Sequence, residues 1–213
     1  MTKNTPVYDV ENFKNHLEEA KILDPKGIHH VFTGGLHGQK LDFGLIPIDS
    51  ELMDEWVEVT ARTISCYYVE KNLGRLAVLS VANGTNELVP RVADWLGGGT
   101  LSLLTEKPDG KNFRLNLSSR DWARAIEINP IVILDDVGTT GRNAAEVIKL
   151  TRGVGISKIE VLYTWQRREK LEELEAIGIS PKNVIYALRP TFTKKECETL
   201  ENGFCAQGWE LKE

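Results

Sequence analysis

The chain is poor in several residue types, and each shortage excludes something. Cysteine occurs three times in 213 residues, at Cys66, Cys197 and Cys205. The number is odd, the spacing is wide and no CxxC pair occurs, so neither a disulfide framework nor a zinc site is expected. A reducing cytoplasm fits this usage. No apolar run approaches the length that crosses a bilayer. Met1 to Glu11 is polar and lacks the apolar stretch of a secretion signal, so no membrane attachment is expected. Positive charge is also in deficit: 26 Lys and Arg face 31 Asp and Glu, a net charge of −5. No global basic field exists to attract a nucleic acid. A strongly anionic ligand would have to be met locally, by a metal and a few Lys or Arg. Hydrophobic residues still make up 41% of the chain, enough for a proper core. The length fits one α/β domain with a small appendage.

What is present is concentrated in Ile131-Val-Ile-Leu-Asp-Asp-Val-Gly-Thr-Thr-Gly141. Four aliphatic residues suit a strand buried on both faces of a parallel sheet. Ligands on such sheets sit beyond the carboxyl ends of the strands, where Asp135 and Asp136 fall. Adjacent carboxylates accept hydrogen bonds from vicinal hydroxyls and place negative charge beside a sugar carbon that turns cationic. Gly138 and Gly141 let the backbone approach closely, and Thr139 and Thr140 supply hydroxyls. The N–H groups of residues 138–142 then open a helix, whose N-terminus attracts phosphate. A plain alternative is a strand whose acidic end merely caps that helix. The full eleven-residue string favours the sugar-phosphate reading.

The rest of the chain alternates between helical and extended patterns. Residues 9–23 read as an amphipathic helix, and 28–46 as short extended pieces broken by Gly34, Gly35, Gly38 and Gly44. Ser50 caps a helix expected over 51–72. Strands are expected at 75–82, 100–104, 131–135, 158–164 and 183–187. Helices are expected at 87–97, 141–152, 168–177 and 193–202. Residues 105–120 read as a polar mobile loop. This order predicts a parallel central sheet flanked by helices. The division expected is a helix and hood over 1–48, then a core with a C-terminal tail over 49–213. His29 and His30 have no third ligand nearby in sequence and read as structural. The tail from Phe204, with Trp209, reads as a docking or oligomer segment.

The 131–141 string closely resembles the 5-phosphoribosyl 1-pyrophosphate (PRPP) signature of the type I phosphoribosyltransferases. The resemblance extends from about residue 9 to 200. It implies that Asp135 and Asp136 hold the ribose and, through water or ribose hydroxyls, a Mg²⁺ ion. Val137, Gly138, Thr139, Thr140, Gly141 and Arg142 would hold the 5-phosphate. Asn83, Gly84, Thr85 and Asn86 match the pyrophosphate turn one βα unit earlier, although Asn-Gly turns are common in any setting. The 105–120 loop stands where the family carries a lid, with Lys107 and Lys111 neutralising pyrophosphate; an ordinary solvated loop is the simpler reading. The segment Phe32 to Phe43 resembles the orotate enzymes' hood, with His37 a candidate for a base edge or phosphate. After the signature, Trp165 replaces an acidic position, and Arg167 is a candidate to face the site. The resemblance implies a homodimer that joins a nucleobase, orotate first, to PRPP. Two readings stay open beside it: a non-catalytic PRPP-binding regulator, and a transferase for a purine base. Glu106 stands where the orotate enzymes carry Arg, and the loop has no His.

Overall fold

A computed structural model describes residues 10–23, 27–32, 35–69, 76–116, 124–128, 130–186 and 191–212. From the N-terminus come α1 (Val10–Glu19), β1 (Ile28–Val31), β2 (Leu36–Gly38), α2 (Glu51–Ile64), β3 (Ala77–Ser80) and α3 (Leu88–Leu96). Then follow β4 (Leu101–Glu106), β5 (Arg114–Asn116), β6 (Ile131–Gly138), α4 (Arg142–Gly153), β7 (Ile159–Gln166), α5 (Glu172–Glu175) and β8 (Lys182–Tyr186). The chain ends with β9 (Phe192–Thr193), α6 (Lys194–Thr199) and β10 (Glu210–Lys212).

The main sheet has six strands in the order β5-β4-β3-β6-β7-β8. All neighbours are parallel except β4 and β5. The apolar run of β6 explains its central place. Ile131 to Leu134 are fully buried, and alternate residues serve opposite faces. Val132 and Leu134 pack with Trp56 and Val89 on one side, whereas Ile131 and Ile133 pack with Val147 and Ile148 of α4 on the other. Each βα step is short, so the strand ends and helix starts gather along one edge of the sheet.

Several expected boundaries shift for local reasons. The helix capped by Ser50, whose Oγ accepts from Met53 N at 3.1 Å, is α-helical only to Ile64 and then widens into a π-helical turn at Ser65–Val69; residues 70–72 lie outside the described residues. The helix expected at 168–177 shrinks to Glu172–Glu175. The Gln166 side chain donates to the carbonyls of Arg168 and Glu169 and holds that stretch in a non-helical turn. The polar stretch 105–120 begins as a hairpin, with β5 folded back on β4. Asp109 closes the turn by accepting from the backbone N–H groups of Lys111 and Asn112 at 2.9 and 2.7 Å. Residues 117–120 lie outside the described residues.

A second, four-stranded sheet has the order β10-β1-β2-β9. It draws on both ends of the chain, although the expected division at residue 48 leaves the tail with the core. The β1–β2 hairpin has two open edges; β9 covers one and β10 the other. Phe204 is buried there between Phe192 and Trp209, with ring centroids 5.2 and 4.6 Å away. Among the described residues, no helix is long and apolar enough to cross a membrane.

One buried hydrogen bond ties α2 to the sheet: Trp56 Nε1 donates to Thr164 Oγ1 at 2.8 Å. Thr164→Val keeps the shape but strands the indole N–H, so urea unfolding should show a loss of about 1–3 kcal/mol. An unchanged midpoint would mean that the indole finds another partner.

Candidate active site

The carboxyl end of β6 carries Asp135 and Asp136 into the middle of the sheet edge. Asp135 is 5% exposed, while Asp136 keeps some solvent contact. Asp135 Oδ1 accepts from Asp136 N at 3.1 Å, and Asp136 Oδ1 accepts from Val137 N at 2.7 Å. Burial pushes the Asp135 carboxyl well above its ordinary range, the Asp136 charge adds to that, and Lys107 opposes it. Burial also raises Asp136; the Val137 N–H works against it and the Asp42 charge reinforces it. Two like charges are thus held together in a poorly solvated place. Such a pair favours a cation or a set of hydroxyl donors.

The turn after β3 lies directly against this pair. A Cβ on Gly84 would stand 2.2 Å from Asp136 Oδ2, so only glycine lets the turn come so close. The Ala82–Asn83 peptide is cis. The Thr85 hydroxyl accepts from Val81 N at 3.0 Å and donates to the Leu134 carbonyl at 2.8 Å, which fixes the turn to β6. That hydroxyl is therefore committed to the scaffold, and Thr85 is fully buried. Asn86 Oδ1 accepts from Ser80 Oγ at 2.6 Å, and Ala82 N donates to Thr105 Oγ1 at 2.9 Å, which ties the turn to β3 and β4. Asn83 is exposed.

On the other side, residues 138–141 turn into α4. Gly141 has φ +81 and caps the helix, and a Cβ there would meet Leu174 Cγ at 2.8 Å. Gly138 packs on the Tyr163 ring, where a Cβ would be 3.0 Å away. Thr139 and Thr140 are half-buried. The Arg142 side chain is exposed and pairs with Glu146 at 3.1 Å, and its backbone N–H donates to Thr140 Oγ1 at 3.4 Å.

Lys107 follows β4, with Nζ 3.4 Å from Asn143 Oδ1 and 3.9 Å from the Phe113 ring centroid. Its charge reaches Asp135. Lys111 stands apart from the acid pair, exposed at the hairpin tip. The hood contributes Asp42, which is paired with Lys40 at 2.6 Å and adds its charge to the field at Asp136. Asp42 escaped the sequence reading because it belongs to no motif; its place ahead of Phe43 in a glycine-rich segment was the only signal. Arg167 is buried with its guanidinium 4.8 Å from the Phe32 ring centroid, so it joins β7 to the hood. His37 is also buried, and its Nδ1 lies 3.6 Å from Cys205 Sγ, on the side of the C-terminal segment. Gly34 of the expected hood motif lies outside the described residues. A cleft of about 390 Å³ runs along Gln166, Glu169 and Asn183, and another lies beside His16 and Glu55.

Known structures share this arrangement of elements. Orotate phosphoribosyltransferase from Aeropyrum pernix is similar with a TM-score of 0.59 at 18% identity, over 81% of this chain and 92% of that one. The chain has the type I phosphoribosyltransferase fold. Orotate phosphoribosyltransferase from Mycobacterium tuberculosis H37Rv, in complex with PRPP, gives 0.56 at 12% identity, over 84% of this chain and 96% of that one. An adenine phosphoribosyltransferase gives 0.55 at 14% identity, over 81% and 99%. No protein-family model matches the sequence, and no curated protein does.

The acid pair has a pH signature. Asp135 has a folded pKa above its unfolded value of about 3.9. The stability carried by its neutral carboxyl is complete below that value and is lost as pH rises through the raised folded one. Asp135→Asn, neutral at every pH, should therefore resist urea better than the parent at neutral pH, with the gap closing below about pH 4. Equal midpoints at neutral pH would mean that the parent pair carries no electrostatic penalty.

Proposed function

We propose that this protein is a magnesium-dependent phosphoribosyltransferase that joins a nucleobase to PRPP and releases pyrophosphate. The observation that carries the reading is the acid pair at the end of β6, flanked by the Gly84 turn and by the 138–142 cradle. The PRPP complex of a neighbour with the same fold supports the assignment of PRPP. Orotate is the proposed base, in line with the hood resemblance, and a homodimer is the proposed assembly.

The donor set suits magnesium. Two carboxylates in a poorly solvated site present hard oxygens, and their raised proton affinity reports an uncompensated negative charge. The ion would supply charge neutralisation on the pyrophosphate oxygens and on the carboxylates themselves. The chain supplies the rest. Asp135 and Asp136 accept from the 2- and 3-hydroxyls of the ribose and orient C1. The backbone N–H groups of residues 138–142 hold the 5-phosphate at the start of α4. The turn at 83–86 offers backbone N–H groups to the pyrophosphate as it leaves, and Lys107 adds a positive charge beside it. The nucleobase nitrogen attacks C1 as the bond to pyrophosphate breaks. The electron pair leaves with the pyrophosphate oxygen, and the configuration at C1 inverts. Negative charge near C1 then stabilises the cationic character that develops there.

A second reading is a PRPP-binding regulator that retains the cradle without turnover. It is favoured by Glu106, which lies across the hairpin from Arg114 where the orotate enzymes carry Arg at the strand end.

Pyrophosphate release from PRPP with Mg²⁺ should depend on one base among orotate, uracil, adenine, guanine, hypoxanthine and xanthine. Asp135→Asn with Asp136→Asn should abolish it. Lys107→Ala should lower kcat by about 10²-fold while changing PRPP affinity much less, because its charge acts on the departing group. No release with any base, while PRPP still raises Tm, would replace the transferase by the regulator.

A further inference from the structure

Four side chains with metal-ligand chemistry, none of them part of the acid pair or its flanking turns, meet in the hood. His29 lies on β1, His37 on β2, Cys197 on α6 and Cys205 in the segment that follows it. One donor atom from each falls within 4.8 Å of the others. His29 Nε2 is 3.3 Å and His37 Nδ1 3.6 Å from Cys205 Sγ. A tetrahedral zinc ion with Zn–S of about 2.3 Å and Zn–N of about 2.0–2.1 Å separates its sulfur and nitrogen ligands by about 3.5 Å. The two nitrogen–sulfur distances already match that figure.

We propose that His29, His37, Cys197 and Cys205 form a structural zinc(II) site that fastens the C-terminal segment to the N-terminal hairpin. The donor set is two sulfurs and two nitrogens, which selects zinc among the common divalent ions. All four positions come from the protein, so no open position remains for chemistry. Loading the site forms four bonds to the metal and releases two thiol protons to solvent, with no change of oxidation state.

The surroundings suit the assignment. His29, His37 and Cys197 are buried and Cys205 is partly so. The Cys205 backbone N–H donates to Cys197 Sγ at 3.2 Å, the kind of outer contact that orients a thiolate ligand. The local need is also plain. Among the described residues, the apolar cluster under this part of the sheet has Phe192, Cys197 and Phe204 as its buried members. A core so small is the kind that metals staple in small domains. His29 and Cys205 are 176 positions apart, so the ion would close a very long loop.

The test uses the full chain, purified under reducing conditions with zinc in the growth medium and no chelator. Elemental analysis should give close to one zinc per chain. Chelation should lower Tm by more than about 5 °C, and added zinc should restore it. Cobalt(II) in place of zinc should give the thiolate charge-transfer and tetrahedral ligand-field bands. Cys205→Ser and His37→Ala should lose the metal, whereas Cys66→Ser should keep it. Negligible zinc in the parent protein would overturn the proposal without reference to any variant, as would a Cys197–Cys205 disulfide detected by mass in the reduced preparation.

Discussion

Two carboxylates share the buried end of one strand, and much of the molecule is arranged around that conflict. Ile131 to Leu134 bury β6 on both faces, which fixes where Asp135 and Asp136 emerge. Gly84 is needed because a side chain there would strike Asp136. The Thr85 hydroxyl bridges the same turn to β6 and so ties it to the strand that carries the acid pair. Lys107 answers part of the charge from the end of β4, and Asp42 adds to it from the hood. Two carboxyl groups held in so poorly solvated a place match the proposed ligand, which brings positive charge and hydroxyl donors.

The sheet and the acid pair were legible in the sequence because their signals are local. One string spells the strand, the acids, the turn and the helix start, and the structure keeps that order in β6 and α4. The Gly84 turn was legible for the same reason, being a short loop between an apolar strand and a helix. Less could be read where the fold depends on distant partners. Strands β5, β9 and β10 are two or three residues long and carry no period of their own. They exist because a neighbour offers an open edge. The shortened helix after β7 depends on one Gln166 side chain capturing two carbonyls.

The histidine–cysteine cluster is the extreme case. Each pair is separated by seven residues within its own segment, a spacing without a recognised zinc pattern. Only the pairing of β1 with β10 and of β2 with β9 brings the two segments together. Orotate and adenine phosphoribosyltransferases resemble the fold almost equally, with TM-scores of 0.59 and 0.55, so the shared sheet does not discriminate between bases.

The most direct measurement is calorimetric titration of PRPP into the protein with and without Mg²⁺, repeated on the Asp135→Asn, Asp136→Asn variant. Binding that requires the metal and disappears in the folded variant is the predicted result. Undiminished binding by the variant, or no binding by the parent, would contradict the assignment of the β6 acid pair as the PRPP site.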